Sequence, residues 1–389
     1  MSSQASDITF LINSLGEGGA QRVMVTLAKQ FVKEGKNVTI LSLAKNNFYD
    51  LPSEVNMVYF SNKSRDSTLS IPYYAWKLKQ YVKKNNIHIV QSHIFRANFV
   101  NLFSKILGSK QQAQVSNRSV VSRFFSEGMT GKINLLLISL LYKKADLIIY
   151  ISERMKLDFH EQFTMRKKEV VIYNPYDIDM ILEQANEEVE NFTFNREKRY
   201  LITIGRLIPL KRFQDVIEAM QKLPSDVELI LLGDGTEQAS LEVLAKKYTL
   251  EKRIHFLGQV KNPFAYIKRS DIFVSSSSVE GFPNVLVEAM LCQTAVVSSD
   301  CISGPREILA PTTDSSKQII QGVEQADYGV LYAVGDVRGL SDAINLLLND
   351  SNLRRKYIDK AFTRAKLFSV ENISMAYKEL FKYKIKLYI

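Results

Sequence analysis

The stretch YLITIGRLIPLKRFQDVIEAMQKLPSDVELILL, residues 200–232, decides the fold class. Tyr200 to Ile204 is a short apolar run that reads as a buried strand, and Val227 to Leu232 reads as another. The segment between them, Phe213 to Gln221, has the pattern of a helix. Strand, helix, strand is the repeating unit of a parallel sheet.

The alternation runs on from there. A helix is expected over Glu237 to Tyr248, a strand over Ile254 to Leu257, a helix over Pro263 to Arg269 and a strand over Ile272 to Ser275. A helix over Asn284 to Leu291 and a strand over Ala295 to Ser298 complete the series, which predicts a doubly wound α/β domain. The N-terminal half carries the same signal. Ile8 to Asn13 reads as a strand, and Ala20 to Glu34 as a helix with Val23, Leu27, Ala28 and Phe31 at helical spacing. Gly35 is placed to end that helix, and Asn37 to Leu43 reads as the next strand. Further strands are expected at Ile87 to Gln91 and Leu147 to Ile151, whereas Asn46 to Ser70 is polar and weakly patterned.

A chain of 389 residues suits two domains. Residues 1–180 are expected to form one α/β domain and 199–370 a second. The acidic, polar stretch 181–198 reads as a linker, and a C-terminal helix over 371–389 is expected to pack back on the first domain. Two such domains would leave a cleft between them.

Hydrophobic residues make up 46% of the chain and the mean hydropathy is −0.09, which fits a soluble or peripheral protein. Two cysteines, Cys292 and Cys301, suggest neither a disulfide framework nor a zinc site. The start, MSSQASDITF, lacks the basic and apolar regions of a signal peptide. Charge is uneven: residues 1–173 hold 24 Lys+Arg against 12 Asp+Glu, and the rest 27 against 29. A basic half suits nucleic acid, anionic lipid or a phosphorylated substrate, or simply solubility. No nucleic-acid module is evident, so that partner is not expected. The run INLLLISLLY, Ile133 to Tyr142, is too short to span a bilayer. It reads either as a buried helix or as one lying at a membrane surface, flanked by Lys132, Lys143 and Lys144.

Four elements could carry chemistry. Gly16-Glu17-Gly18-Gly19 lies between the first strand and the first helix, where glycine permits close backbone approach and a helix N-terminus suits phosphate. It matches neither GxGxxG nor a P-loop, so an ordinary tight turn stands beside that reading. Arg206 ends the strand YLITI, with Lys211 and Arg212 just beyond. Ligands of open α/β sheets sit past the carboxyl ends of strands, and these cations could clamp a diphosphate there; a solvated basic loop is the alternative. Glu280 and Glu288 bracket a loop and a helix start in EGFPNVLVE, suiting a hydroxyl-rich ligand. His93 follows the strand IHIVQ. Only four His occur and no HxH or HExxH pattern exists, so no metal site is expected.

Together these pieces resemble the family-4 retaining glycosyltransferases, whose GT-B architecture has two Rossmann-like domains facing each other across a cleft. The resemblance rests on SLGEGGAQRV (14–23), His93, the Asn174-Pro175 junction, GRLIPLKR (205–212), LLGDG (231–235), IHFLGQV (254–260) and EGFPNVLVEAM (280–290). It implies that Arg206 and Lys211 bind the donor diphosphate and that Glu288 binds the ribose. Glu280 and the backbone of Gly281, Phe282, Pro283 and Asn284 would hold the sugar, and Gln259 and Val260 would meet the base. Gly16, Gly18 and Gly19 would serve the phosphates from the first domain, and His93 would touch sugar or acceptor. Two departures stand out: Asn174-Pro175-Tyr176-Asp177 where the family often has Asn-Gly-Val-Asp, and Ala20-Gln21-Arg22 where it often has Ala-Glu-Arg.

SLGEGGAQRV, LISLLYKKADLI (137–148) and SGPREIL (303–309) are similar to bacterial enzymes that add an N-acetylhexosamine to a polyprenyl-diphosphate-linked saccharide in surface polysaccharide assembly, O-antigen included. The resemblance implies a UDP-sugar donor, a lipid-linked saccharide acceptor, no cofactor or metal, and a cytoplasmic enzyme peripheral at the inner face of the cell membrane. A GT-B-fold UDP-sugar epimerase, which needs no acceptor, shares the fold and donor. A NAD-dependent dehydrogenase fits poorly without a full GxGxxG and trailing acidic residue.

Overall fold

The computed structural model describes residues 7–46, 48–63 and 67–382. The chain forms two compact units, Met1–Tyr176 with Phe368–Ile389, and Asp177–Leu367.

The first unit holds seven strands: β1 Ile8–Ile12, β2 Val38–Ser42, β3 Asn56–Tyr59, β4 Ile89–His93, β5 Gln112–Ser116, β6 Leu147–Tyr150 and β7 Glu169–Val171. They lie in the order β3-β2-β1-β4-β5-β6-β7, all in parallel. The order reverses between β1 and β4, so the switch point, where open α/β sheets bind ligands, lies there. Strands β1 and β2 are buried at every residue, as befits strands covered on both faces. Strands β4 and β5 are unusual in burying Gln91, Ser92, His93, Gln114 and Ser116. Asparagines of the helix Phe95–Ile106 supply part of what this polarity needs: Ser92 Oγ donates to Asn98 Oδ1 (2.8 Å) and Asn101 Nδ2 to Val90 O (2.9 Å). Gln91 and Gln114 bond across the strands at 2.9 Å.

On the sheet's other face the helices Gly19–Lys33 and Val370–Leu380 pack together. Tyr377, fully buried, joins Phe10 and Phe31 in the first unit's core. Residues 383–389 of the expected C-terminal helix lie outside the described residues. The chain leaves this unit after Tyr176 and returns at Phe368, and the two passages are tied by backbone bonds: Tyr176 N to Phe368 O (2.9 Å) and Val370 N to Tyr176 O (2.8 Å).

The second unit repeats the plan with β8 Arg199–Ile204, β9 Val227–Leu232, β10 Ile254–Gly258, β11 Ile272–Ser275, β12 Ala295–Ser299, β13 Val323–Gln325 and β14 Val330–Tyr332. The order is β10-β9-β8-β11-β12-β14-β13, with β13 antiparallel at the edge. Its switch point therefore lies between β8 and β11.

The stretch 181–198, expected as a linker, is part of the second unit. Asp177 caps a helix over Ile178–Ala185 that buries Ile181 and Ala185. The acidic segment beyond it accepts bonds from the helix Pro263–Lys268 and its cap: Asn262 Nδ2 donates to Gln184 O and to Glu187 Oε2, both at 2.7 Å. Polar composition suggested solvent, but these acceptors are spent on one neighbour.

The run Ile133 to Tyr142 falls in a helix over Gly128–Leu141 and the turn after it. The helix buries Ile138 and Leu141 yet exposes Met129 (71%), Ile133 (40%), Leu136 (58%) and Leu140 (54%). At 100° per residue those four lie within an arc of about 60°. Lys132, Lys143 and Lys144 are exposed beside them. Among the described residues no helix is long and apolar enough to cross a membrane.

Candidate active site

In the second unit, glycines bring three strand ends together. Gly205 N bonds Leu232 O (3.0 Å), Leu207 N bonds Asp234 O (2.7 Å) and Gly233 N bonds Gly258 O (2.7 Å). A Cβ on Gly233, at φ 129°, would sit 2.0 Å from Gly205 O, so only glycine fits there. This fixes the loop that presents Arg206. Arg206 is exposed and makes no ion pair among the described residues.

Lys211 closes a 3-10 turn, Pro209–Lys211. Its Nζ lies 2.5 Å from Glu280 Oε1, and Ser277 Oγ donates to the same oxygen at 2.6 Å. The Lys211 and Glu280 side chains are 23% and 14% exposed. The loops carrying them are sewn together. Ser276 Oγ donates to Lys211 O (2.7 Å), Ser278 N to Leu210 O (2.8 Å) and Ser299 Oγ to Ser277 O (2.6 Å). One loop follows β8 and the other β11, so this is the switch point itself. Arg212, by contrast, is spent on a two-bond pair with Asp215, at 2.7 and 3.0 Å.

The loop Gly281 to Asn284 is held from below by the SGP turn at residues 303–305. Ser303 Oγ donates to Gly281 O at 2.6 Å, and a Cβ on Gly304 (φ 93°) would meet Pro283 Cδ at 2.3 Å. Phe282 and Pro283 are buried, and Asn284 opens the helix Asn284–Leu291, in which Glu288 is 3% exposed. Gln259 and Val260 follow β10, two strand positions from β8. At about 4.8 Å per strand, a ligand touching Arg206 and Val260 would span roughly 10 Å.

In the first unit, Gly16 is buried, Gly18 and Gly19 are exposed, and the helix Gly19–Lys33 starts with no capping side chain and no acidic residue in its first turn. Its first N–H groups therefore have no side-chain cap among the described residues. Tyr49 Oη bonds Gly18 O at 3.2 Å and steadies the loop.

His93 differs from expectation. It is the last residue of β4 and is fully buried. Arg118 donates to its Nδ1 from Nε (3.2 Å) and Nη2 (2.5 Å), and its Nε2 lies 3.1 Å from Gln91 Oε1. Burial, aided by the Arg118 charge, holds the imidazole well below the usual histidine range. The ring is therefore neutral, with its proton on Nε2 toward Gln91. Both ring nitrogens are engaged, by Arg118 and Gln91, and the ring has no exposed surface.

Three further residues were not legible beforehand. Ser277 and Ser303 support the Glu280 loop; the run Ser275 to Ser278 at a strand end was the available signal for the first. Arg118 follows β5, whose sequence QAQVS hid the strand and hence the strand-end position.

A cation and a carboxylate, Lys211 and Glu280, meet at one switch point, and the exposed Arg206 stands on the same glycine-held loop after β8. Such a set can bind an anionic leaving group and orient hydroxyls. Residues 184–364 match the family model described as glycosyl transferases group 1, and residues 17–180 match glycosyltransferase family 4. The chain belongs to this family of glycosyltransferases. One relative, from Campylobacter jejuni, is the N-acetylgalactosamine-N,N'-diacetylbacillosaminyl-diphospho-undecaprenol 4-alpha-N-acetylgalactosaminyltransferase. It is 29% identical over 369 residues, 93% of this chain and 96% of the relative. The fold is that of HepE from Anabaena, solved in complex with UDP (TM-score 0.75, 22% identity, 96% of this chain and 98% of that one). It is also that of the sucrose-phosphate synthase from Thermosynechococcus elongatus (TM-score 0.80, 18% identity, 96% and 98%).

Proposed function

We propose that this glycosyltransferase is a retaining enzyme that moves an N-acetylhexosamine from a UDP-sugar to a saccharide carried on a polyprenyl diphosphate, at the inner face of the cell membrane. The observation that carries the reading is the Lys211–Glu280 contact at the β8–β11 switch point, with Arg206 on the loop that follows β8. Lys211 keeps donors beyond the one given to Glu280, and Arg206 is unpaired, so both can meet a diphosphate. As the bond from the anomeric carbon to the diphosphate breaks, its electron pair moves onto the leaving phosphate. The two cations stabilise that charge where it develops. The acceptor hydroxyl bonds the anomeric carbon on the same face and gives its proton to the leaving phosphate oxygen. Retention is supported by the state of Glu280: its Oε1 already accepts from Lys211 and Ser277. It is a poor base for attack from the opposite face. With two cations on the leaving group, no metal is required.

The donor and acceptor classes are supported by the names of the relatives and of the UDP-bound HepE. Membrane association is supported by the exposed apolar face of Gly128–Leu141 and its lysines. The test is incubation of the full chain with a panel of labelled UDP-sugars and a bacterial lipid extract, with EDTA as a parallel arm and NMR of the product. A lipid-linked product with the donor's anomeric configuration, formed equally fast with EDTA, is expected. An inverted product, loss of activity with EDTA, or conversion of the UDP-sugar without acceptor would each overturn the corresponding part.

A further inference from the structure

Arg118 is a cation whose partners are all neutral. It lies two residues past β5 and is half-buried. Its Nη1 donates to Asn174 Oδ1 (2.7 Å), its Nη2 lies 3.4 Å from Tyr377 Oη, and Nε and Nη2 both face His93 Nδ1. No carboxylate pairs with it among the described residues. A partly buried charge without a counter-charge is costly, and proteins tolerate it where a ligand supplies the missing sign.

The placement is specific. Arg118 starts on the β5 side but reaches back over the end of β4, because His93 is the last residue of β4. β4 borders β1 across the first unit's switch point, and His93 packs edge-on against Phe10 of β1 at 5.5 Å. Beyond β1 stands the Gly16–Gly19 loop with its uncapped helix start. A fixed cation at the end of β4 and an uncapped helix start after β1 thus lie on the two sides of the switch point. The guanidinium is also held in one pose by groups from β4, from Asn174 and from the helix Val370–Leu380. A hydrogen-bonded series runs from Arg118 through His93, Gln91 (to Gln114 at 2.9 Å) and Gln114 (to Leu380 O at 2.6 Å). Planar, pre-oriented guanidinium groups suit phosphate oxygens.

We propose that Arg118 binds a diphosphate at the switch point of the first unit, with His93 and Asn174 as positioning residues. This rests on the glycosyltransferase reading for the source of the diphosphate, which is either the UDP-sugar or the lipid diphosphate of the acceptor. The binding itself does not depend on turnover.

The test uses the full chain and the variants Arg118→Gln and Arg118→Lys. Calorimetry measures UDP, inorganic pyrophosphate and farnesyl diphosphate, and steady-state assays measure KM for donor and acceptor. Loss of one charge-assisted contact corresponds to about 10-fold or more in affinity. We expect R118Q to weaken pyrophosphate binding by about that factor, with a smaller effect in R118K. If farnesyl diphosphate affinity and acceptor KM move while UDP does not, the acceptor supplies the diphosphate; the reverse assigns it to the donor. A second measurement needs no variant: pyrophosphate should protect Arg118 of the wild-type chain from phenylglyoxal, read by peptide mass spectrometry. Unchanged affinities in R118Q together with no protection, whether or not the melting temperature falls, would reduce Arg118 to a structural clasp and overturn the proposal. If no transfer is seen but protection and the affinity loss persist, the enzymatic reading fails and the diphosphate site stands.

Discussion

Removing the two cations of the second unit should have unequal consequences, because their surroundings differ. Arg206 is exposed and unpaired, so Arg206→Ala should change stability by no more than about 0.5 kcal/mol, the usual range for surface positions. Lys211 is 23% exposed and holds Glu280, 14% exposed, at 2.5 Å. Lys211→Met leaves that carboxylate with Ser277 alone, and losing a charge-assisted bond at a mostly buried site costs about 1.5–3 kcal/mol. Adding Glu280→Gln removes the stranded charge and should recover about 1 kcal/mol of it. Catalytically the two single variants should look alike. Each removes one stabiliser of the leaving diphosphate and should lower kcat about 10²–10³-fold. Urea denaturation followed by circular dichroism gives the stabilities, and steady-state kinetics at saturating UDP-sugar give kcat. Kinetics within a few-fold of wild type for both variants would remove the pair from the site. Equal destabilisation by Arg206→Ala and Lys211→Met, or no recovery in the double variant, would refute the reading of the Lys211–Glu280 contact.

Glu288→Gln should mainly weaken UDP binding and Glu280→Gln mainly lower turnover; calorimetry and kinetics separate them, and equal effects on UDP affinity would contradict the assignment. Anionic vesicles should bind the chain more strongly than neutral ones, with salt weakening but not abolishing binding, since each lysine near the surface contributes about 1 kcal/mol and the apolar face adds a salt-resistant part. Leu136→Ser with Leu140→Ser, both more than half exposed, should cost about 2 kcal/mol of that part, roughly 30-fold in co-sedimentation at high salt, without changing UDP affinity. Gly233→Ala forces a methyl group to 2.0 Å from Gly205 O and should lower both the melting temperature and UDP affinity; a variant that matches wild type in both would show that the strand-end contact is not needed.

The elements that were legible in the chain are those with a single physical cause. Ile8–Ile12, Val38–Ser42 and Val227–Leu232 are apolar because both sheet faces are covered, and each was readable within a residue or so of its bounds. Gln112–Ser116 was not readable, because its buried Gln114 side chain is satisfied by Gln91, 23 residues away, and by Leu380 O, 266 residues away. The edge strands Asn56–Tyr59 and Glu169–Val171 are short and half-exposed, so alternation hardly registers. In the second unit, Arg206 and Lys211 do lie on the loop past β8 and Glu280 on the loop past β11, as the strand-end rule led one to expect. The same rule placed His93 at a strand end but could not say which way the ring turns. Burial decided that: the ring turns inward against Phe10, and the half-buried Arg118 lies over it.

The second unit is one uninterrupted segment, whereas the first is built from two segments that join at Tyr176 and Phe368 and pack together through the helix Val370–Leu380. During synthesis this reverses the usual sequence of events, in which the part made first also folds first. The early segment emerges lacking the helix that carries Tyr377, and it must wait, with Phe10 and Phe31 uncovered on that side, until residues 368–380 clear the ribosome. By then the 177–367 segment has everything it needs to fold. Nascent chains arrested just past Leu367 should therefore hold a protease-resistant second unit behind a first unit that is still open to cleavage. A chain stopped before Phe368 would lack Tyr377 from the first unit's core and so spoil a unit whose larger segment is made before the second.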